Sequence, residues 1–480
     1  MNRRFVFRLL GKLLMVTSAL MVLPLIVSII YKEDCYTAFL ISMAISLAIG
    51  FPLTVFCKTE DKVIYAKEGF VIVALSWICM SAVGALPFVL SGEIPSYVDA
   101  FFETVSGFTT TGASILTNVE SLSHGTLFWR SFTHWVGGMG VLVFIMAIIP
   151  ASTDRSIHIL RAEVPGPIVG KLVPKMRETA KILYLIYIVL TFVEIVLLFL
   201  GGMPLFDSLI HAFGTAGTGG FGIKADSISS YSPFLQWVIT VFMMIFGVNF
   251  NLYYLLLNRK PKSVFKSEEL WTYVVIGVAS TAIIAMNIRS MYPTLSDTIR
   301  AASFQVSSVV TTTGYATADF NLWPELSKTI LLVLMFIGSC AGSTAGGFKI
   351  SRVILLLKMI KREIKNLIHP RAVGVVRFEG KKVDETVLKS LSAYIAIYVV
   401  CFMSVFILLS FDGFDIVTNF SAAAACFNNI GPGLGAVGPA ANYADYSVFS
   451  KLVLSVAMLL GRLEIYPILF VLSRSAWSKK

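Results

Sequence analysis

The stretch Val105 to Ser114 reads V-S-G-F-T-T-T-G-A-S and lies between two long apolar runs. Three later stretches are like it: Gly217-Thr218-Gly219-Gly220, Thr311-Thr312-Thr313-Gly314-Tyr315 and Asn428-Asn429-Ile430-Gly431-Pro432. Aligned on Gly112, Gly219, Gly314 and Gly431, they recur after 107 (112 to 219), 95 (219 to 314) and 117 (314 to 431) residues. Self-similarity at a nearly fixed period marks an internal repeat. The chemistry on offer is cation coordination by backbone. A cation entering a membrane loses hydration worth on the order of tens of kcal/mol. A ring of carbonyl dipoles replaces that hydration without adding net charge. Glycine allows the dihedrals that turn successive carbonyls to one side. The candidate ring comprises Thr110, Thr111 and Gly112; Thr218 and Gly219; Thr312, Thr313 and Gly314; and Asn429, Ile430 and Gly431. Their Thr and Asn side chains can brace the loops. One polar turn at a helix end is ordinary. Four at matching places are not, and four together can enclose a pathway that one cannot.

Two further features belong to the same chemistry. Gly338 to Gly347 reads G-S-C-A-G-S-T-A-G-G inside a long apolar run. Glycine in a helix interior costs about 1 kcal/mol per residue. An unwound segment here, with Gly338, Ser339, Gly342, Ser343, Thr344, Gly346, Gly347 and Lys349 as its candidate residues, would lie beneath the ring and obstruct it. Close helix packing through small residues accounts for the composition equally well. Nucleotide binding is excluded, because Phe348 stands where a phosphate loop needs Lys and no strand precedes it. Arg462 stands in the apolar run Leu452–Leu472. An intramembrane Arg is a functional candidate by default. Glu464, two positions on, faces elsewhere on a helix. Arg462 therefore either faces the pore, the preferred reading, or pairs with a carboxylate such as Glu194. No hydrolase, zinc-protease or dinucleotide fingerprint stands in a proper context, so no enzyme is expected. His134 and His211 read as packing or hydrogen-bonding residues.

The elements that must position these residues follow from composition. The chain has 480 residues, 56% of them hydrophobic and only 14% charged, and a mean hydropathy of +0.80. Soluble domains carry about 25% charged residues, so this is an all-α polytopic membrane protein. Runs long enough to cross a bilayer are Leu13–Ile30 and Ala38–Phe56, then four pairs. The pairs are Phe70–Leu90 with Leu127–Ile149, Ile182–Leu200 with Leu235–Leu257, Leu270–Ile288 with Ser327–Ile360, and Leu391–Leu409 with Val448–Leu472. Between the members of each pair lies a shorter segment opening near Asp99, Asp207, Asp297 or Asp415, expected as helix N-caps. Each short helix is expected to dip into the membrane and return as an extended loop, which is tolerated only where it lines a wet cavity. The organisation expected is residues 1–68 as an N-terminal hairpin, then repeats over 69–178, 179–267, 268–386 and 387–480. The net charge of +11 falls in the short segments joining pair to pair, which places them and both termini in the cytoplasm. The first helix reads as uncleaved, since no small-residue cleavage site follows it. The six cysteines form no C-x-x-C pair, which excludes a zinc site or disulfide framework.

Several stretches resemble the Trk/Ktr/HKT superfamily of potassium transporters, and within it the longer bacterial Trk membrane subunits. They are Arg130–Gly140 ending H-W-V-G-G-M-G, Ala162–Pro167, T-T-T-G-Y in repeat three, Gly338–Lys349, Asn428–Gly435 and Gly461–Ile465. The resemblance implies four M1-P-M2 units around one potassium-selective pore, with Gly112, Gly219, Gly314 and Gly431 as filter glycines. Plant relatives that pass sodium often carry Ser at the first of these. It implies an intramembrane gating loop at Gly338–Lys349 and a pore-blocking arginine at Arg462. It also implies a homodimer in a bacterial inner membrane, K+ as the transported ion, and a cytosolic TrkA-like ring that carries the nucleotide site this chain lacks.

Two rival functions remain at this level. A secondary K+ or Na+ symporter driven by a proton or sodium gradient would show inverted repeats, whereas these run in parallel sense. A receptor or scaffold has no use for four filter-like loops.

Overall fold

The computed structural model describes residues 2–57, 66–140, 176–371, 374–473 and 477. The Ala162–Pro167 stretch and most of the basic segment around it lie outside the described residues. Among those described, structure is helical apart from loops and one small antiparallel hairpin, Arg377–Phe378 paired with Lys381–Lys382. Among the described residues, six helical stretches are long and apolar enough to span a bilayer: Arg3–Ile30, Tyr36–Phe56, Glu68–Leu90, Ala180–Leu200, Glu268–Asn287 and Glu385–Asp412. Their outer faces carry Ile30, Phe56, Leu200 and Val400 in the open, as a lipid-facing surface requires.

The first two spans form a hairpin held by close approach. A Cβ on Gly11 would sit 2.6 Å from the Gly50 carbonyl oxygen, and one on Gly50 would sit 2.8 Å from that of Gly11. Small residues are what allow backbones this near in lipid. The loop after the first span then docks on repeat one. Glu33 accepts from the N–H groups of His124 (2.7 Å) and Gly125 (3.0 Å), the otherwise orphan donors at the start of helix His124–Gly138.

Each repeat contains the expected short helix: Tyr97–Phe108, Leu205–Gly217, Leu295–Val310 and Ile416–Phe427. The capping differs from expectation. Only Asp415 is an N-cap; Ser96, Pro204 and Thr294 precede the other three helices, and Asp99, Asp207 and Asp297 lie in the first turn. Ser96 and Thr294 accept from the N–H groups of Asp99 (3.4 Å) and Asp297 (3.1 Å), the hydroxyl half of a capping box. The acidic charge still faces the positive helix end.

In repeats two, three and four the second span is broken at mid-length, where continuous helices were expected in two and four. In repeat two, Pro233–Phe246 and Phe250–Leu257 meet at 89°. In repeat three, Glu325–Ile337 and Ile350–Ile368 flank a non-helical stretch. In repeat four, Val448–Arg462 and Tyr466–Leu472 are separated by Leu463, Glu464 and Ile465, the last two at positive φ. In repeat one, His124–Gly138 ends just before the described residues do. The upper halves close a ring. Helix His124–Gly138 packs on the second short helix, Pro233–Phe246 on the third, Glu325–Ile337 on the fourth, and Val448–Arg462 on the first.

Candidate ion pathway

All four short helices end in the same way. In repeat one, Thr110 N–H donates to Gly107 O at 3.1 Å and Thr111 N–H to Ser106 O at 2.9 Å. The same pair of bonds joins Thr218 to Thr215 and Gly219 to Gly214, Thr312 to Val309 and Thr313 to Ser308, and Asn429 to Cys426 and Ile430 to Ala425. This is the Schellman stop, which places one residue in the left-handed region. Here that residue is Thr110 (φ 55°), Thr218 (55°), Thr312 (57°) and Asn429 (55°), none of them glycine. A left-handed threonine costs on the order of 1–2 kcal/mol. Such strain concentrates at functional sites.

Two residues later comes a glycine with positive φ: Gly112 (79°), Gly220 (75°), Gly314 (81°) and Gly431 (97°). This corrects the alignment of repeat two by one residue. Gly220, not Gly219, is the equivalent of Gly112. Gly219 matches Thr111, Thr313 and Ile430. The sequence G-T-G-G permits either registration, and only the hydrogen-bonded helix end distinguishes them. Gly219 itself is small for a separate reason: a Cβ there would sit 2.4 Å from the His134 ring.

The four strands face one another around an axis. A Cβ on Gly112 would lie 2.0 Å from Gly219 O, on Gly220 2.0 Å from Thr313 O, on Gly314 2.0 Å from Ile430 O, and on Gly431 2.7 Å from Thr111 O. The order is one to two to three to four to one, a closed ring of four carbonyl oxygens with the next repeat's glycine pressed against each. Thr110, Thr111, Thr218, Gly219, Thr312, Thr313, Asn429 and Ile430 are all buried. No described hydrogen-bond donor reaches any of their eight carbonyl oxygens. Buried carbonyls are otherwise nearly always paired. Two layers of unpaired carbonyls on one axis are what a dehydrated cation replaces water with.

The strands are braced from behind. Glu103, buried in the first short helix, accepts from Ser114 Oγ (2.9 Å), Ile115 N–H (3.0 Å) and Arg130 Nε (2.6 Å). Arg130 in turn donates to Gly222 O at 2.9 Å and lies over the Phe221 ring. The pair therefore ties the outgoing strand of repeat one to that of repeat two. Sequence reading missed it, although two charges inside apolar runs were the available signal. Above the ring, Gly112, Gly220, Gly314, Gly431, Arg130, Lys224 and Tyr443 help line an open funnel of about 100 Å³.

Below the ring, the break in repeat three is an unwound loop from Gly338 to Lys349. It is not helix packing through small residues, the alternative composition allowed. Gly346 N–H donates to Thr312 Oγ1 at 2.7 Å, so the loop touches the left-handed residue of its own repeat. Thr344 donates to Phe246 O (3.3 Å), and Gly342 O accepts from Phe250 N–H (3.0 Å), both at the bend in repeat two. Ala341 N–H donates to Glu269 at 2.7 Å. Ser339 and Ser343 hydroxyls meet at 3.1 Å, and Lys349 Nζ is buried against Ala345 O.

Arg462 lies at the break in repeat four and reaches across the axis. Its guanidinium donates to Thr344 O (2.8 Å) in the loop, Thr110 Oγ1 (3.2 Å) at the ring, and Gly138 O (2.8 Å) and Gly137 O at the end of helix His124–Gly138. These partners belong to repeats one and three, so the charge stands beneath the ring. The alternative pairing with Glu194 is not among its described contacts. Glu464 is taken by Arg352, on the helix that follows the loop. His134 donates through Nδ1 to Gly107 O at 2.7 Å and His211 to Asp207 O at 2.7 Å, the hydrogen-bonding roles expected of them.

Comparison with known proteins agrees with this geometry. Residues 36–479 match the family model described as "TrkH: Cation transport protein". The Trk system potassium uptake protein TrkH of Salmonella typhimurium is 36% identical, over 99% of this chain and all of that one. The Trk system potassium uptake protein TrkG of Escherichia coli is 34% identical, over 99% of this chain and 98% of that one. The crystal structure of the potassium transporter TrkH from Vibrio parahaemolyticus superposes with a TM-score of 0.90 at 33% identity, covering both chains completely. A ring of unpaired carbonyls on four pseudo-equivalent turns, within a chain alike from end to end, places this protein in the TrkH family of cation transport proteins.

Proposed function

We propose that this chain is the ion-translocating membrane subunit of a Trk-type potassium uptake system, passing K+ inward through one four-fold pseudosymmetric pore. The observation that carries this is the pair of carbonyl layers, buried and, among the described residues, without donors. The ring binds the dehydrated ion, and neutral oxygens suit a monovalent cation, which can leave again. The negative ends of the four short helices converge on the same region and favour a cation there. The loop Gly338–Lys349 acts as the gate and Arg462 as a fixed barrier beneath the ring. Relatives named as potassium uptake proteins support the choice of ion. Repeats over 69–178, 179–267, 268–386 and 387–480, a homodimer in the inner membrane, cytoplasmic termini and a cytosolic TrkA-like nucleotide-binding partner complete the reading.

The test is cation flux into proteoliposomes holding the purified protein, with potassium, rubidium, sodium and lithium compared side by side. Potassium and rubidium are expected to pass well ahead of sodium and lithium. Equal passage of all four, or flux that follows a proton or sodium gradient and ignores the potassium gradient, would overturn the reading.

A further inference from the structure

The four-fold pseudosymmetry of the ring is broken at one place. Gly431 has φ 97°, whereas Gly112, Gly220 and Gly314 lie between 75° and 81°. A Cβ on Gly431 would stand 2.7 Å from its neighbour's carbonyl oxygen, against 2.0 Å at each of the other three. The repeat-four strand therefore sits differently from its three counterparts. A specific side chain accompanies the difference. Tyr443 donates its hydroxyl to Gly431 O at 2.7 Å. No described donor reaches the carbonyl oxygens of Gly112, Gly220 or Gly314.

Tyr443 is firmly held. It is buried, its N–H donates to Ser114 O at 2.8 Å, and its ring packs against Phe102 and Tyr446. It thus joins the loop of repeat four to the outgoing strand of repeat one, across the seam where the ring closes. The other repeats brace this region without touching the glycine carbonyl. Glu103 holds Ser114 and Ile115, Ser308 donates to Tyr315 O (2.6 Å), and Tyr315 donates to Phe221 O (3.3 Å).

We propose that Tyr443 sets the cation affinity and selectivity of the outermost ring layer by engaging the Gly431 carbonyl. This rests on the reading of the ring as a filter. A carbonyl that accepts a hydroxyl proton presents less negative potential to an ion. The glycine layer then offers three strong carbonyls and one weakened one. Ion discrimination depends on the number and field strength of the carbonyls that replace water. The layer nearest the outer funnel is thereby a weaker site, from which an ion passes readily to the deeper layers. The residue touches the coordinating group and not the ion, so it is a positioning residue.

The test is Tyr443→Phe, which keeps the ring and removes only the hydroxyl. Flux in proteoliposomes is measured against K+ concentration, with K+ and Na+ compared. The apparent KM for K+ is expected to fall on the order of threefold to tenfold, the competition one neutral hydrogen bond exerts. The K+ to Na+ ratio should fall, because a stronger carbonyl field favours the smaller ion, and the saturating rate should fall as well, because the ion leaves more slowly. A second readout needs no flux: the K+ concentration that half-saturates thermal stabilisation should fall by a similar factor. Unchanged KM, ion ratio and K+-dependent stabilisation would overturn the proposal. So would a loss of stability or rate with both ratios as in the wild type, which assigns the hydroxyl to packing alone. Wild-type protein with no preference among cations would overturn the filter reading itself, and this proposal with it; that result is recognisable without the variant.

Discussion

At the scale of single residues, the ring explains which glycines are replaceable. Gly220 has φ 75°, and a Cβ there would lie 2.0 Å from the Thr313 carbonyl. Gly222, two residues on, has its nearest such neighbour at 3.8 Å. Gly220→Ala is expected to cost on the order of 3 kcal/mol or more and to abolish selective flux, whereas Gly222→Ala should stay within about 0.5 kcal/mol. Melting curves and flux for the two variants check this. Arg462 is argued the same way. An arginine is effectively always charged. Two unit charges about 4 Å apart interact by roughly 1 to 4 kcal/mol between bulk water and a protein surface. At about 1.4 kcal/mol per decade, that barrier slows cation passage by up to a few hundredfold. Arg462→Ala should therefore raise flux per folded molecule, and Arg462→Lys should keep most of the barrier. Lower stability with no gain in flux for the alanine variant would give Arg462 a scaffolding role.

At the scale of elements, the loop Gly338–Lys349 and the Glu33 clamp make separate predictions. The loop's contacts with Thr312 and Arg462, and its bonds to Phe246 and Phe250 at the bend in repeat two, pass through Gly342, Thr344 and Gly346, while Cys340 N–H keeps a separate bond to Gly247 O. Excising residues 342–346 removes all but the last. Basal flux is expected to rise several-fold and to lose its dependence on the cytosolic partner. A shortened loop that folds and leaves both unchanged would sink the gate assignment. Glu33, in the loop after the first span, is partly desolvated, which raises its pKa. The Gly125 and His124 N–H groups outweigh that and hold it below its usual value of 4.5. A carboxylate lowered in the folded state contributes stability above its unfolded pKa and loses it as pH falls through the folded one. Glu33→Gln should thus melt below the wild type at neutral pH. The two should converge below about pH 4.5, a comparison read from Tm against pH.

At the scale of the whole molecule, the proposed filter is a property of the closed ring and not of any one repeat. Each glycine packs on the carbonyl of the next repeat, and each half second span packs on the next short helix. A Ser at Gly112 would bring a Cβ to 2.0 Å from Gly219 O at φ 79°. The ring must then widen at the first seam, and a wider ring fits K+ less closely. Gly112→Ser is expected to narrow the K+ to Na+ flux ratio while the protein remains folded and expressed. Unchanged ion ratios in such a protein would remove Gly112 from the filter.

Composition and local pattern by themselves determined that the chain is a helical membrane protein, that it repeats four times and that each copy carries a polar glycine turn. Those properties are local: twenty apolar residues span a bilayer in any context. Asp99, Asp207 and Asp297 were legible as marks of helix starts, yet Ser96 and Thr294 hold the caps, because those helices begin two residues before the aspartate and the hydroxyl takes the aspartate's own N–H. The tertiary structure alone decided the registration of Gly220, since G-T-G-G satisfies two alignments and the hydrogen-bonded helix end satisfies one. It alone decided the bend between Phe246 and Phe250, where hydropathy is continuous and the loop Gly338–Lys349 needs the bend's backbone groups as partners. It also decided what Arg462 does. A charge in an apolar run must find oxygens, but Thr110, Gly138 and Thr344 are 352, 324 and 118 residues away and meet it only when the ring closes.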